Sequence, residues 1–310
     1  MAIGSVDLGG TNIHAAIGEA DGTILAEHVI PTEAQLGPDA VLARIAALIR
    51  DLGTPQALGL GVPGLADLAS GVTHFLPNLA SQWRGVPVAE ILRQSLGCDV
   101  YLLNDARLAA LGELDFGHGR FTRDFVLLTL GTGIGGGVVL DAKLRTGPLG
   151  AAGEIGHQTI LPDGPLCGCG SLGCLEALCS AAALTAEAIR LIKIGQAPAL
   201  LELSSNDLNR VTPKLMAQCH DHAILRTIER AAIYLGIGIA NVVTILHPSL
   251  IVLSGGMSEM GEQLFAPIRD QVQRHVRIFP IHDLRIEASL LGPRAAILGG
   301  LALAHRKGVL

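Results

Sequence analysis

The chain has 310 residues, 49% apolar and only 3% aromatic, with 39 glycines and a formal net charge of −6. That length suffices for one large domain or two lobes, with a core of Ala, Leu, Ile, Val and Gly. A mildly acidic chain without a Lys/Arg run is a poor binder of nucleic acid or membrane surfaces, and the start Met1-Ala2-Ile3-Gly4-Ser5-Val6-Asp7 shows no export signal, so a cytoplasmic location is expected.

The β-branched run Ile3 to Val6 predicts a strand ending at Asp7, then a glycine turn and a return strand from Ile13 to Ile17. Apolar Val41, Ile45, Leu48 and Ile49 are spaced for a helix over 39–52. Ala57 to Val62 predicts a buried strand ending in Pro63-Gly64. Val88 to Leu96 predicts a helix, Val100 to Leu103 a strand, and Ala106 to Leu114 a helix that Asn104 or Asp105 could cap. A second phase opens with a strand from Phe125 to Leu130, a turn over Gly131 to Gly137 and a return from Val138 to Leu140. Asp7-Leu8-Gly9-Gly10-Thr11 resembles Thr129-Leu130-Gly131-Thr132-Gly133, which points to an internal duplication of two similar lobes. After Gly150 come a cysteine-rich loop and helices, then a strand from Ile251 to Leu253 and a last helix from Arg294 to His305. The uncharged stretch Ala231 to Leu246 is short of the roughly 20 apolar residues a bilayer needs and is expected to be a buried helix. Strands and helices mix throughout, so the class is α/β.

Three glycine turns follow apolar strands: Gly9-Gly10-Thr11, Gly131-Thr132-Gly133 and Gly255-Gly256. Glycine lets consecutive backbone N–H groups converge on a phosphate, and Thr11 and Thr132 add hydroxyls. Asp7 suits Mg²⁺ held through water. Each turn taken alone is equally a tight hairpin. None is a Walker A loop, since no Gly-Lys-Ser/Thr is present, and the first returns to a strand rather than opening a helix, unlike a dinucleotide fingerprint. Asn104-Asp105 falls at the carboxyl end of a strand, where open α/β sheets bind ligands. Asp105 there is either a helix cap or a carboxylate that accepts a hydroxyl proton during phosphoryl transfer.

His157, Cys167, Cys169 and Cys174 supply one imidazole and three thiolates within eighteen residues, a closed Cys₃His set for structural Zn²⁺. Gly168, Gly170 and Gly173 would let a short loop wrap the ion. Cys98, Cys179 and Cys219 read as small apolar residues. Glu154 and Glu176 flank the loop as sugar-hydroxyl partners or as solvated charges.

These blocks together resemble the ROK family (repressor, open reading frame, kinase) of sugar kinases. The resemblance rests on Asp7-Leu8-Gly9-Gly10-Thr11-Asn12, Val62-Pro63-Gly64, Pro77-Asn78-Leu79, Asn104-Asp105-Ala106 and Gly131 to Gly137. It continues with Gly153-Glu154-Ile155-Gly156-His157, the run Cys167 to Glu176, and Ser254-Gly255-Gly256. It implies an actin-like, ribonuclease-H-like fold of two α/β lobes that close on sugar and Mg-ATP. The lobes expected are 1–115, joined by the last helix from about 295 to 310, and 116–294 with the zinc loop. It implies Asp105 as base, and Gly64, Asn78, Asn104, Glu154, His157 and Glu176 as sugar contacts. Asp7, Gly9, Gly10, Thr11, Asn12, Gly131, Thr132, Gly133, Gly255 and Gly256 would then hold Mg-ATP. His157 would give one ring nitrogen to zinc and the other to the sugar. A homodimer is implied as well. Some members are repressors with a helix-turn-helix ahead of the kinase-like part. Here the first phosphate motif begins at Asp7, so an enzyme is expected over a regulator. The expected reaction is phosphorylation of glucose at its 6-hydroxyl, with N-acetylmannosamine as the second substrate and fructose or allose behind. A non-catalytic sugar sensor and a zinc enzyme are the alternatives of other classes.

Overall fold

The computed structural model describes residues 2–76, 79 and 82–310. The first elements are β1 (Ile3–Leu8), β2 (Asn12–Gly18), β3 (Ile24–Pro31), α1 (Pro38–Leu52), β4 (Ala57–Val62), β5 (Leu65–Asp67) and β6 (Val72–Phe75). Then come α2 (Val88–Leu96), β7 (Asp99–Asn104), α3 (Asp105–Phe116), β8 (Phe125–Leu130), β9 (Ile134–Leu140) and β10 (Lys143–Arg145). The rest is α4 (Leu175–Cys179), α5 (Ala181–Lys193), α6 (Pro198–Leu203), α7 (Pro213–Ala217), α8 (His222–Leu246), β11 (Leu250–Ser254), α9 (Glu262–His275), β12 (Arg285–Ala288) and α10 (Ala295–His305). The class is α/β, as the mixed pattern predicts.

Two five-stranded sheets run in the orders β3-β2-β1-β4-β7 and β10-β9-β8-β11-β12. The orders are equivalent, with β8 standing for β1 and β11 for β4. Both end in a parallel pair, β4 with β7 and β11 with β12. The duplication that the two glycine turns suggest therefore extends to whole sheets. Each turn also spans three residues, 9–11 and 131–133. The second turn is shorter than the expected Gly131 to Gly137, because β9 begins at Ile134. Glycine persists into that strand for packing: a Cβ on Gly137 would press on Ala110 of α3.

By internal contacts the chain divides into two compact units, 1–127 with 137–153 and 289–310, and 128–136 with 154–288. In the first, strand alternation sends Val6 and Leu8 of β1 into a core with Val41, Leu42, Ile45 and Ile49 of α1 and Leu92 of α2. Ser5 and Asp7 point to the other face, which α3 and α10 cover. In β4, Leu58 and Leu60 join the core while Gly59 and Gly61 face α10 and α3. A Cβ on Gly61 would lie 2.9 Å from Leu108 of α3, and one on Gly59 would overlap the Gly300 carbonyl of α10. Missing side chains thus let two helices sit directly on the strands. Buried Glu113 of α3 completes the seam, accepting hydrogen bonds from the N–H of His118 (3.0 Å) and Leu291 (3.1 Å) and from Ser289 Oγ (2.5 Å). Arg306 at the end of α10 pairs through two nitrogens with Asp115 of α3.

In the second unit α8 packs against α4, α5, α7 and α9. It begins at His222, well before the expected Ala231, and at 25 residues it is long and apolar enough to cross a membrane. Its uncharged second half instead buries Leu235, Gly236, Gly238, Ile239, Val242 and Val243 among protein helices. Cys98, Cys179 and Cys219 are buried thiols, as expected.

Candidate active site

In the first unit, chemistry gathers where β1, β4 and β7 end. The register aligns Asp7 with Gly61 and Gly61 with Leu103, so the strands finish together. Asn104, rather than Asp105, caps α3: its Oδ1 accepts from the N–H of Ala106 (3.1 Å) and Arg107 (3.3 Å). Its Nδ2 donates to the Gly64 carbonyl at 3.2 Å, so one amide joins the helix start to the turn after β4. Gly64 has φ 153°, and a Cβ there would overlap the Phe75 carbonyl, which reserves the position for glycine. Asp105 is the first helical residue, and its Oδ1 accepts from Ala106 N–H at 2.8 Å. It lies near enough to Asp7 for the two carboxylates to repel. Burial first, and the Asp105 charge second, push the Asp7 carboxyl from 3.8 up to about 7. A paired acidic site with such a proton affinity invites a divalent cation. The same helix start carries the fully buried Arg107, whose Nε donates to the Ala152 carbonyl at 2.8 Å, two residues before Glu154.

The first glycine turn is closed by Gly9 N–H on the Asn12 carbonyl at 2.9 Å. Thr32, buried after β3, takes the Gly9 carbonyl with its hydroxyl (2.7 Å) and the Thr11 carbonyl with its N–H (2.8 Å). With the Gly9 and Thr11 carbonyls tied back, Gly10, Thr11 and Asn12 stand exposed at the turn, where backbone N–H groups and the Thr11 hydroxyl would suit an anion. Sequence reasoning missed Thr32, because one threonine past a strand end carries no signal. Gly61 was detectable, since the Gly-Leu-Gly alternation of β4 marks a strand face that another backbone approaches closely. Asn78, an expected sugar contact, lies outside the described residues.

In the second unit the turn after β8 places Gly131, Thr132 and Gly133 beside Glu176 of α4. Glu176 Oε2 accepts from Ile134 N–H at 2.8 Å, and Ala181 N–H binds the Gly131 carbonyl at 2.9 Å. Gly255, with φ 87°, backs onto the end of β8: a Cβ there would be 2.6 Å from the Leu130 carbonyl oxygen. The second and third turns therefore adjoin the end of one strand.

His157, Cys167, Cys169 and Cys174 converge, with their ligand atoms all within 4.8 Å of one another. His157 Nδ1 is 3.7 Å from Cys167 Sγ, and Cys169 Sγ is 3.7 Å from Cys174 Sγ. A tetrahedron of 2.3 Å Zn–S bonds requires an S···S separation of about 3.8 Å, so the residues fit zinc. Gly170 and Gly173 adopt φ 91° and 63° in the wrap, whereas Gly168 needs no unusual backbone. Burial raises the Cys167 and Cys174 thiols, while the Ser171 N–H leads in holding Cys169 down to about 7. Three thiols this close ionise together only around a cation. The other ring nitrogen of His157, Nε2, is 3.8 Å from Glu154 Oε2. The loop thus orients an imidazole whose far edge meets a carboxylate.

The comparisons with known proteins agree with this frame. The ROK family model matches residues 3–307. The chain is 35% identical to a glucokinase of Thermotoga maritima, over 96% of this chain and 95% of that one. An N-acetylmannosamine kinase of Shigella flexneri is 38% identical over 189 residues, covering 61% of this chain and 64% of its own. The structure of a ROK family glucokinase from Streptomyces griseus in complex with glucose and AMPPNP matches at TM-score 0.88 and 32% identity, over 99% of this chain and 100% of that one. That likeness fixes the actin-like ATPase fold, and with a family match spanning almost every residue, this chain belongs to the ROK family.

Proposed function

We propose that this protein is an ATP-dependent sugar kinase that transfers the γ-phosphoryl group of ATP to a hexose hydroxyl, the 6-hydroxyl of glucose. The observation that carries the reading is Asp105: a carboxylate at the joint of β7 and α3, beside Asp7 and fixed by the Asn104 cap. It accepts the hydroxyl proton as the sugar oxygen attacks in line, a general-base role. Asn104, Glu154, His157 and Glu176 are the residues that orient the sugar hydroxyls in this reading, with Asn78 and Gly64 as further sugar contacts. Gly9 to Asn12, Gly131 to Gly133, and Gly255 with Gly256 hold the phosphates through backbone N–H groups. Mg²⁺ bound through water to Asp7 would neutralise phosphate charge.

Zinc on His157, Cys167, Cys169 and Cys174 would be structural, since the set is closed and offers no position for a reacting water. Its effect on the sugar is to fix the His157 ring so that Nε2 and Glu154 keep their relative place. A homodimer in the cytoplasm, where ATP is available and thiols stay reduced, completes the reading.

A coupled ATP-consumption assay across glucose, N-acetylmannosamine, N-acetylglucosamine, mannose and fructose tests the substrate. N-acetylmannosamine is the second reading, favoured by the 38% identity to the Shigella flexneri kinase. Asp105→Asn should lower turnover by about 10²–10⁴-fold with the fold and sugar affinity intact. Near-normal turnover in that variant would remove Asp105 as the base. Absence of ATP consumption with every sugar, despite sugar binding, would favour a sensor.

A further inference from the structure

The carboxylate of Glu176 does something a sugar contact does not require. Its Oε2 accepts from Ile134 N–H at 2.8 Å, at the point where the turn Gly131-Thr132-Gly133 becomes β9. The same oxygen lies over Gly133 so closely that a Cβ there would overlap it. The other oxygen lies 3.8 Å from Cys167 Sγ in the cysteine loop. Five residues on, Ala181 N–H takes the Gly131 carbonyl at 2.9 Å. One short stretch of chain, α4 and the start of α5, therefore grips the glycine turn at both ends. From within the turn comes the bond of Gly131 N–H to the Gly133 carbonyl at 3.0 Å. Glycines at 131 and 133 give it little rigidity of their own.

We propose that Glu176 is a positioning residue for the nucleotide: it holds the Gly131-Thr132-Gly133 turn in its phosphate-binding shape, independently of any sugar contact. The inference rests on reading that turn as a phosphate site. Its physical basis is a charge-assisted hydrogen bond from a backbone N–H to a carboxylate, stronger than a neutral one. Losing it lets a glycine-rich turn relax, so the phosphates must order it on binding. Because one oxygen reaches the turn and the other the cysteine loop, Glu176 also links the nucleotide turn to the cluster that orients His157.

The test is the affinity of sugar-free protein for Mg²⁺ with a non-hydrolysable ATP analogue, measured by calorimetry. Glu176→Ala should weaken it about tenfold, the size of a lost charge-assisted bond. Glu176→Gln keeps a neutral acceptor for Ile134 N–H and should restore affinity to within about threefold of the native protein. Glu176→Asp keeps the charge but falls short of Ile134, and stands in for the alanine variant if that does not fold. Hydrogen exchange at Ile134 N–H should quicken in the Ala and Asp variants and stay slow in Gln. Gly133→Ala, whose new methyl displaces the carboxylate, should weaken binding in the native background and add little to Glu176→Ala. Unchanged analogue affinity in Glu176→Ala, while Gly133→Ala and Thr132→Val still weaken it, overturns the positioning role alone. Silence of the Gly133 and Thr132 variants as well overturns the phosphate reading of the turn and the inference with it. Loss of sugar affinity alone in both the Ala and Gln variants makes Glu176 a sugar contact only and also overturns the inference.

Discussion

Replacing Asp7 by Asn tests the electrostatics at the end of β1. The folded-state carboxyl, raised from 3.8 to about 7 by burial and then by Asp105, holds its proton more tightly than the unfolded one. Its contribution to stability is therefore complete below about pH 4 and is lost as pH climbs through about 7. At about 1.36 kcal/mol per pH unit the full difference is about 4 kcal/mol. Asp7 is only half-buried, so water and side-chain relaxation should reduce this to about 2 kcal/mol. Asn mimics the neutral acid and carries no such loss. Below about pH 4 the two proteins should melt together, near pH 4.5 the variant should already lead by about 1 kcal/mol, and at pH 8 it should be the more stable by about 2 kcal/mol. With an unfolding entropy of about 0.65 kcal/mol/K for a chain of this length, that is a Tm difference of about 3 °C. The assay is a series of calorimetric melts from pH 3.5 to 8.5 without nucleotide or divalent cation. Added Mg²⁺ with an ATP analogue should stabilise the native protein at pH 8 and raise the variant less. A Tm difference that is flat with pH, or that grows toward acid, would refute the reasoning.

Two further outcomes follow from packing and from the cysteine cluster. A Cβ on Gly299 of α10 would overlap the Leu108 carbonyl of α3, so Gly299→Ala should destabilise by about 1–3 kcal/mol, measured by denaturant titration. An unchanged midpoint would mean that this helix pair separates at little cost. Purified protein should carry one zinc per chain, and chelation should speed hydrogen exchange across residues 157–176 while leaving α1 and α2 protected. Exchange there that ignores the chelator would leave the four side chains as a metal-free cluster.

Much of the frame was legible locally. Val41, Ile45, Leu48 and Ile49 mark the buried stripe of α1, and the apolar run 57–62 coincides with β4. Hydrophobic period and glycine punctuation report on neighbours a few residues away, and those neighbours decide helix or strand. The closely spaced Cys and His likewise announced their cluster, because a short loop leaves them few ways to be apart. Short strands such as β5 and β6 left too brief a pattern to read. The helical pattern of α8 was cut short by Arg226, Glu229 and Arg230, which sit on its exposed side.

What the sequence by itself determined is an α/β chain with duplicated glycine turns, a strand-end Asn104-Asp105 and a Cys₃His loop. Only the tertiary structure decided which side chain does which job: Asn104 rather than Asp105 caps α3, Thr32 ties back the first turn, and Glu176 reaches Ile134 across 42 residues of chain. Such pairings depend on where separate elements come to rest against each other. Their energy lies in burial and in a few oriented hydrogen bonds between distant residues, and no local periodicity encodes those partners.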